Sequence, residues 1–141
     1  MKTILVIFVL LIVQSLNLFG QSGTTPHIDI KYVGSGIATI IAVKYQKFDS
    51  AFASEQYKYK TINKEDDVFN KIEKSYKGAK YKISKVIDTR YKLTFYFSNS
   101  IKPFTIYSSY FYDFTLNGRI MIDCKFKKLL KEIIDSLNPP K

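Results

Sequence analysis

Apolar residues recur at every second position in several stretches of this chain and at every third or fourth position in two others. That mixture of periods is the tightest constraint on its fold, because a period of two builds strands and a period near 3.6 builds helices. His27 to Val33 alternates, with Ile28, Ile30 and Tyr32 on one face. Tyr57 to Ile62 alternates again, and Tyr91, Leu93, Phe95 and Phe97 form the strongest run of this kind. Tyr81, Ile83 and Ile87 predict a further strand. Ala38 to Phe48 is β-branched and apolar on both parities at its start, which predicts a central strand covered on both sides. Phe104 to Phe114 is aromatic on both parities and is expected as one strand. Asn117-Gly118 tolerates positive φ at both positions and predicts a tight hairpin into Arg119–Cys124.

Two segments change period. After Asn63, a candidate cap with Asp66 three positions on, the acids Glu65, Asp66 and Asp67 crowd a first helical turn. Val68, Phe69, Ile72 and Tyr76 then form a stripe, and Gly78 stands where a left-handed cap belongs. Near the C-terminus, Asp123 is placed to cap a helix. Phe126, Leu129, Leu130, Ile133, Ile134 and Leu137 mark its buried face, opposite Lys125, Lys127, Lys128, Lys131, Glu132 and Asp135. The expected fold class is therefore α+β. It comprises a mostly antiparallel, twisted sheet of about six to seven strands with two helices (about 64–77 and 125–137), both on one sheet face.

The first twenty residues stand apart from this domain. Lys2 precedes ten unbroken apolar residues, Ile4 to Val13, followed by polar Gln14 to Asn17 and small Gly20, Ser22 and Gly23. This is the layout of a cleaved secretory signal peptide, with the cut expected between positions 20 and 23. The apolar run is half the roughly 20 residues that a spanning helix needs, which argues against stable membrane insertion. Residues 21–26 read as a disordered lead-in and 27–138 as a single α+β domain. The expected location is exported, periplasmic or extracellular.

Charge and cysteine follow from that address. The net charge is +10, and a cut after Gly20 removes one base and no acid. Nearly all of the base is lysine, with Arg90 and Arg119 the only arginines. Lysine is a hydrated point charge, whereas arginine is the residue of bidentate phosphate and base-edge recognition. This composition and the exported location argue against chromosomal DNA as partner. Cys124 is the only cysteine, so no internal disulfide forms. Its place after Ile120 and Ile122 predicts a buried small hydrophobe, with pairing between chains as the alternative.

Catalytic machinery is not legible. His27 is the only histidine and reads as a solvated strand-start residue, so no multi-histidine metal site and no cofactor fingerprint is expected. Asp29, Asp49, Glu55, Asp88 and Asp113 are the acids without a helix-related role, and no spacing pairs two of them for acid–base work. A small carboxylate-dependent hydrolase is the enzymatic alternative, and a structural or partner-binding envelope subunit is a third.

Binding is the better-supported class. Basic-Tyr-Lys recurs at 58–60, 80–82 and 90–92, an interleaving that suits an anionic polymer by charge and stacking if the face is open. The candidate residues are Lys58, Lys60, Lys80, Lys82, Arg90 and Lys92. Tyr107 and Phe111 join them as rings on the second parity of the aromatic strand, placed to meet a glycan or peptide. The expectation is a non-enzymatic exported protein with an anionic-polymer, glycan or protein partner.

Overall fold

The computed structural model describes residues 25–34, 36–39, 41–83, 86–98 and 100–137. The expected signal segment, its cut and most of the lead-in lie outside the described residues. The chain forms an α+β fold. A seven-stranded antiparallel sheet runs in the order β2-β1-β4-β5-β6-β7-β3. Its strands are β1 (His27–Val33), β2 (Tyr57–Asn63), β3 (Tyr81–Ile83), β4 (Tyr91–Tyr96), β5 (Phe104–Ser108), β6 (Phe114–Leu116) and β7 (Arg119–Met121). Two helices, α1 (Asp67–Ser75) and α2 (Cys124–Leu137), pack on each other and on one sheet face. Among the described residues no helix is long and apolar enough to cross a membrane.

Periodicity explains the core. Ile28 and Ile30 of β1, Leu93 and Phe95 of β4, and Ile106 of β5 are cross-strand partners on one face. They are fully buried against Phe69 and Ile72 of α1 and Phe126, Leu130, Ile133 and Ile134 of α2. Asp123 caps α2 by accepting the Phe126 N–H at 2.7 Å through Oδ1. Asn117 (φ 49°) and Gly118 (φ 76°) form the predicted left-handed hairpin turn between β6 and β7.

Five local expectations are corrected. First, the described residues of 38–48 form no strand. Both edges of β1, the strand it follows, are taken by β2 and β4, so this stretch does not pair beside it. It crosses the sheet's other face instead, ending in the 3-10 segment Tyr45–Ser50. Second, Phe104–Phe114 is two strands. Ser109 Oγ accepts the N–H groups of Phe111 (3.1 Å) and Asp113 (3.2 Å), and Tyr112 sits at φ 60°, so the chain turns between β5 and β6. The turn explains the double parity: Phe114 returns to the core while Phe111 projects at the tip.

Third, Asn63 completes β2 opposite His27, and Asp66 is the N-cap residue of α1. Fourth, Gly78 ends a 3-10 turn and is not among the positive-φ residues. Fifth, Cys124 is exposed. Strand β7 ends at Met121, so the parity that predicted burial no longer governs the chain three residues later.

Candidate functional site

The sheet face away from the helices is divided. One half is covered by residues 37–39 and 41–56. Phe48, 0% exposed, packs with Val33 and Tyr57, and Ile37, Phe52 and Tyr107 complete this second apolar cluster. The Tyr57 hydroxyl donates to the Phe48 carbonyl. Arg90, 3% exposed, fastens the cover from below. It donates to Asp88 Oδ2 from Nε (2.9 Å) and Nη2 (2.7 Å), to the Ile37 carbonyl (3.1 Å) and to Thr39 Oγ1 (2.6 Å). Its guanidinium carbon lies 5.3 Å from the Phe52 ring centroid and 5.2 Å from that of Tyr110. Asp88 Oδ1 in turn accepts the Val43 N–H.

The other half is open. Asp29, Lys31, Tyr59, Lys60, Thr61, Lys92, Thr94 and Tyr96 line a shallow trough of about 320 Å³ on β1, β2 and β4. Register places Lys31 directly opposite Lys92 on one side and Tyr59 on the other. Two like charges facing across strands are destabilising unless something sits between them. Here it is one carboxylate. Asp49, near the end of the 3-10 part of the cover, accepts from Lys31 Nζ at 2.9 Å and from Lys92 Nζ at 2.5 Å. Lys31 Nζ also lies 3.9 Å from the Tyr57 ring centroid.

The electrostatics follow this geometry. Burial opposes ionisation of Asp49, but the hydrogen bonds from Lys92 and Lys31 outweigh it and hold the carboxyl below its ordinary range. Lys31 is raised for the reciprocal reason: burial lowers it, and the Asp49 hydrogen bond and charge more than compensate. Burial also raises the Tyr107 phenol. Farther along the face, Thr61 Oγ1 donates to Asp29 at 2.8 Å, and the His27 ring stacks on Tyr96 at 4.3 Å with Nε2 3.3 Å from Asp29. His27 is thus a half-buried clamp, not a solvated residue.

The predicted basic set is not brought together. Lys58 and Lys60 lie on β2 and Lys82 on β3, the two opposite edges of the sheet. Six strand spacings separate those edges, roughly 29 Å. Lys80 precedes β3, and its carbonyl accepts the Ile122 N–H. Arg90 is consumed in holding the cover. Tyr107 is half-buried beneath Tyr45 and Phe48. Phe111 is 86% exposed at the β5–β6 turn, apart from the trough. Of the eight candidates, Lys92 presents its side chain to the trough; Lys60 borders it from β2 but stands opposite Ile30, on the parity of the helix-side face.

The reason is phase. The same Tyr–Lys alternation on β2 and β4 sits in opposite phase on the sheet. On β4, Tyr91, Leu93 and Phe95 face the helices and Lys92 faces out. On β2, Ile62 faces the helices, so Tyr57, Tyr59 and Thr61 face out. Tyrosines of one strand therefore share a face with lysines of the other. Lys31, Tyr59, Thr61, Thr94 and Tyr96 escaped the sequence reading for this reason; Asp49, noted only as an acid without a helix-related role, comes from the 3-10 segment outside the sheet. The one available signal was the polar parity Asp29–Lys31 of β1.

None of the five unassigned acids is a lone carboxyl in a cleft. Asp88 is paired with Arg90, Asp49 with two lysines, and Asp29 with Thr61 and His27. Asp113 accepts from Ser109 Oγ, and exposed Glu55 from Ser54. Among the described residues no three of His, Cys, Asp and Glu converge to hold a metal ion. No protein-family model, curated protein or solved structure matches the chain.

Proposed function

We propose that this is an exported, non-enzymatic binding protein that holds an acidic glycan along the open half of its outer sheet face. The observation that carries the reading is the pair of facing lysines, Lys31 and Lys92, sharing one carboxylate beside an exposed tyrosine ring (Tyr59, 70%). Such a site offers charge for a carboxylate and a flat ring for a sugar face. Hydroxyls of Thr61 and Thr94 add hydrogen-bonding partners for ring oxygens. Asp29 lies in the same trough, so the face is mixed in charge and disfavours densely charged chains such as nucleic acid. Asp49, held ionised by two ammonium groups, is the wrong kind of carboxyl for a general acid, which sets the hydrolase reading behind the binding one.

The test is retention on immobilised polygalacturonate against an unrelated protein of equal net charge. Specific retention, weakened by Tyr59→Ala and screened by added salt, is the expected result. Retention no better than the control rejects a dedicated site. Export is tested separately: the secreted form should begin between Gln21 and Thr24.

A second reading, a partner-linked envelope subunit, draws on the exposed thiol of Cys124. A dimer band on non-reducing electrophoresis that disappears in Cys124→Ser supports it.

A further inference from the structure

The geometry points to Asp49 as a built-in occupant of the anion site: its carboxylate stands between Lys31 and Lys92 where the carboxylate of a bound glycan would sit, and must swing out for the ligand to enter. The inference rests on the glycan-binding reading and adds to it the element that regulates access.

Three observations carry it. The two ammonium groups come from adjacent strands of the sheet, in register, and both reach one anion position. The occupant comes from outside that sheet, from the last turn of a 3-10 segment. Finally, anchor and occupant are neighbours with opposite character. Phe48 is fully buried against Tyr57, Phe52 and Tyr107, and its carbonyl accepts from Tyr57. Asp49 follows it directly, yet its side chain is 52% exposed. The backbone is therefore held by its neighbour, while the carboxylate, held only by the two ammonium groups, has open solvent beside it. Release needs a change of side-chain torsion, not an opening of the cover.

Competition by a tethered group lowers apparent affinity by the fraction of molecules in which the site is open. If Asp49 occupies the site in about nine molecules of ten, the apparent Kd is raised about tenfold. Its removal should return that factor. The gain should be confined to ligands carrying a carboxylate, because Asp49 blocks the charge position and not the Tyr59 ring.

The experiment compares wild type with Asp49→Asn, titrated by calorimetry with trigalacturonate and with neutral galactotriose. The expected result is about tenfold tighter trigalacturonate binding by the variant and no change for galactotriose. The wild type supplies an independent readout: the Asp49 carboxyl carbon resonance should move toward that of a solvated carboxylate as trigalacturonate saturates the site. Circular dichroism establishes that the variant is folded, and if it is not, the wild-type resonance decides. Trigalacturonate binding by the wild type with no gain in Asp49→Asn, or with an unmoved Asp49 resonance, overturns the internal-occupant inference and leaves the glycan site standing. No binding of trigalacturonate by either protein removes both.

Discussion

The two halves of the outer sheet face use the same strands and arrive at opposite solutions. Under the cover, the outward side chains are Val33, Tyr57, Arg90 and Tyr107, and every polar group among the first three has a partner. In the open half, one or two positions along the same strands, they are Asp29, Lys31, Tyr59, Lys92 and Thr94. Strand geometry does not explain the contrast, because both halves share β1, β2 and β4. The crossing segment does: the residues it covers become core, and the residues it leaves become surface. Asp49 stands at the boundary and belongs to both, fixed to the cover by its backbone and to the open half by its carboxylate.

The largest effect should come from breaking the cover at its anchor. Phe48→Ala removes a fully buried ring from a small cluster that has little else to hold it. A loss of about 3–5 kcal/mol in urea denaturation is expected. A loss below 1 kcal/mol would mean that the cover is only laid on the sheet. Next comes Arg90→Met, which leaves Asp88 without its ion pair and Ile37 and Thr39 without their donor. Removing one partner of a largely buried pair costs about 3 kcal/mol. Since Asp88 is partly exposed, about 2–3 kcal/mol is the expected loss by the same measurement. Arg90→Met should leave polygalacturonate retention intact, which separates this residue from the lysines it resembles in sequence.

How much of this was legible follows the same division. The helix-side face was readable because burial there is complete and writes itself as period: Leu93 and Phe95, or Phe126, Leu130 and Ile133, can sit nowhere else. The Asn117-Gly118 turn was readable because its backbone torsions exclude most other residues. The cover was misread because Ala38–Val43 has strand composition while both edges of β1 are taken by β2 and β4, and strand pairing belongs to the topology. The site was misread because alternation gives the two faces of one strand without saying which face its neighbours share. Lys92 entered the candidate list with Arg90, two positions away on the same parity, yet one lines the trough and the other lies beneath the cover.

A smaller effect tests the boundary. Asp49→Asn leaves two lysines facing each other, and the group is exposed enough that solvent screens most of the loss. About 0.5–1 kcal/mol is expected at neutral pH. The pH dependence is the sharper readout. The folded carboxyl lies below its ordinary value of 3.8, so its contribution is present above that value and fades as pH falls through the lowered one. The folded Lys31 ammonium lies above its ordinary value of 10.5, so its contribution is present below that value and fades as pH rises through the raised one. The stability difference between wild type and variant should be flat between these limits and narrow at both ends. A difference that varies across pH 5–9 would show that some other titrating group holds the cover to the open half.

The smallest stability effect should come from Tyr59→Ala, and its smallness is what makes it informative. The ring is 70% exposed on an edge strand, with Lys31 Nζ 6.0 Å from its centroid. Substitution should change stability by no more than about 0.5 kcal/mol. If the open half is merely a solvated surface, nothing else should change. If it is a sugar-binding face, retention on polygalacturonate should fall while the denaturation curve stays in place. Loss of both together would show that Tyr59 supports the sheet edge. Unchanged retention with unchanged stability would take the aromatic platform out of the site, leaving the two lysines and their shared carboxylate as a purely electrostatic contact between cover and sheet.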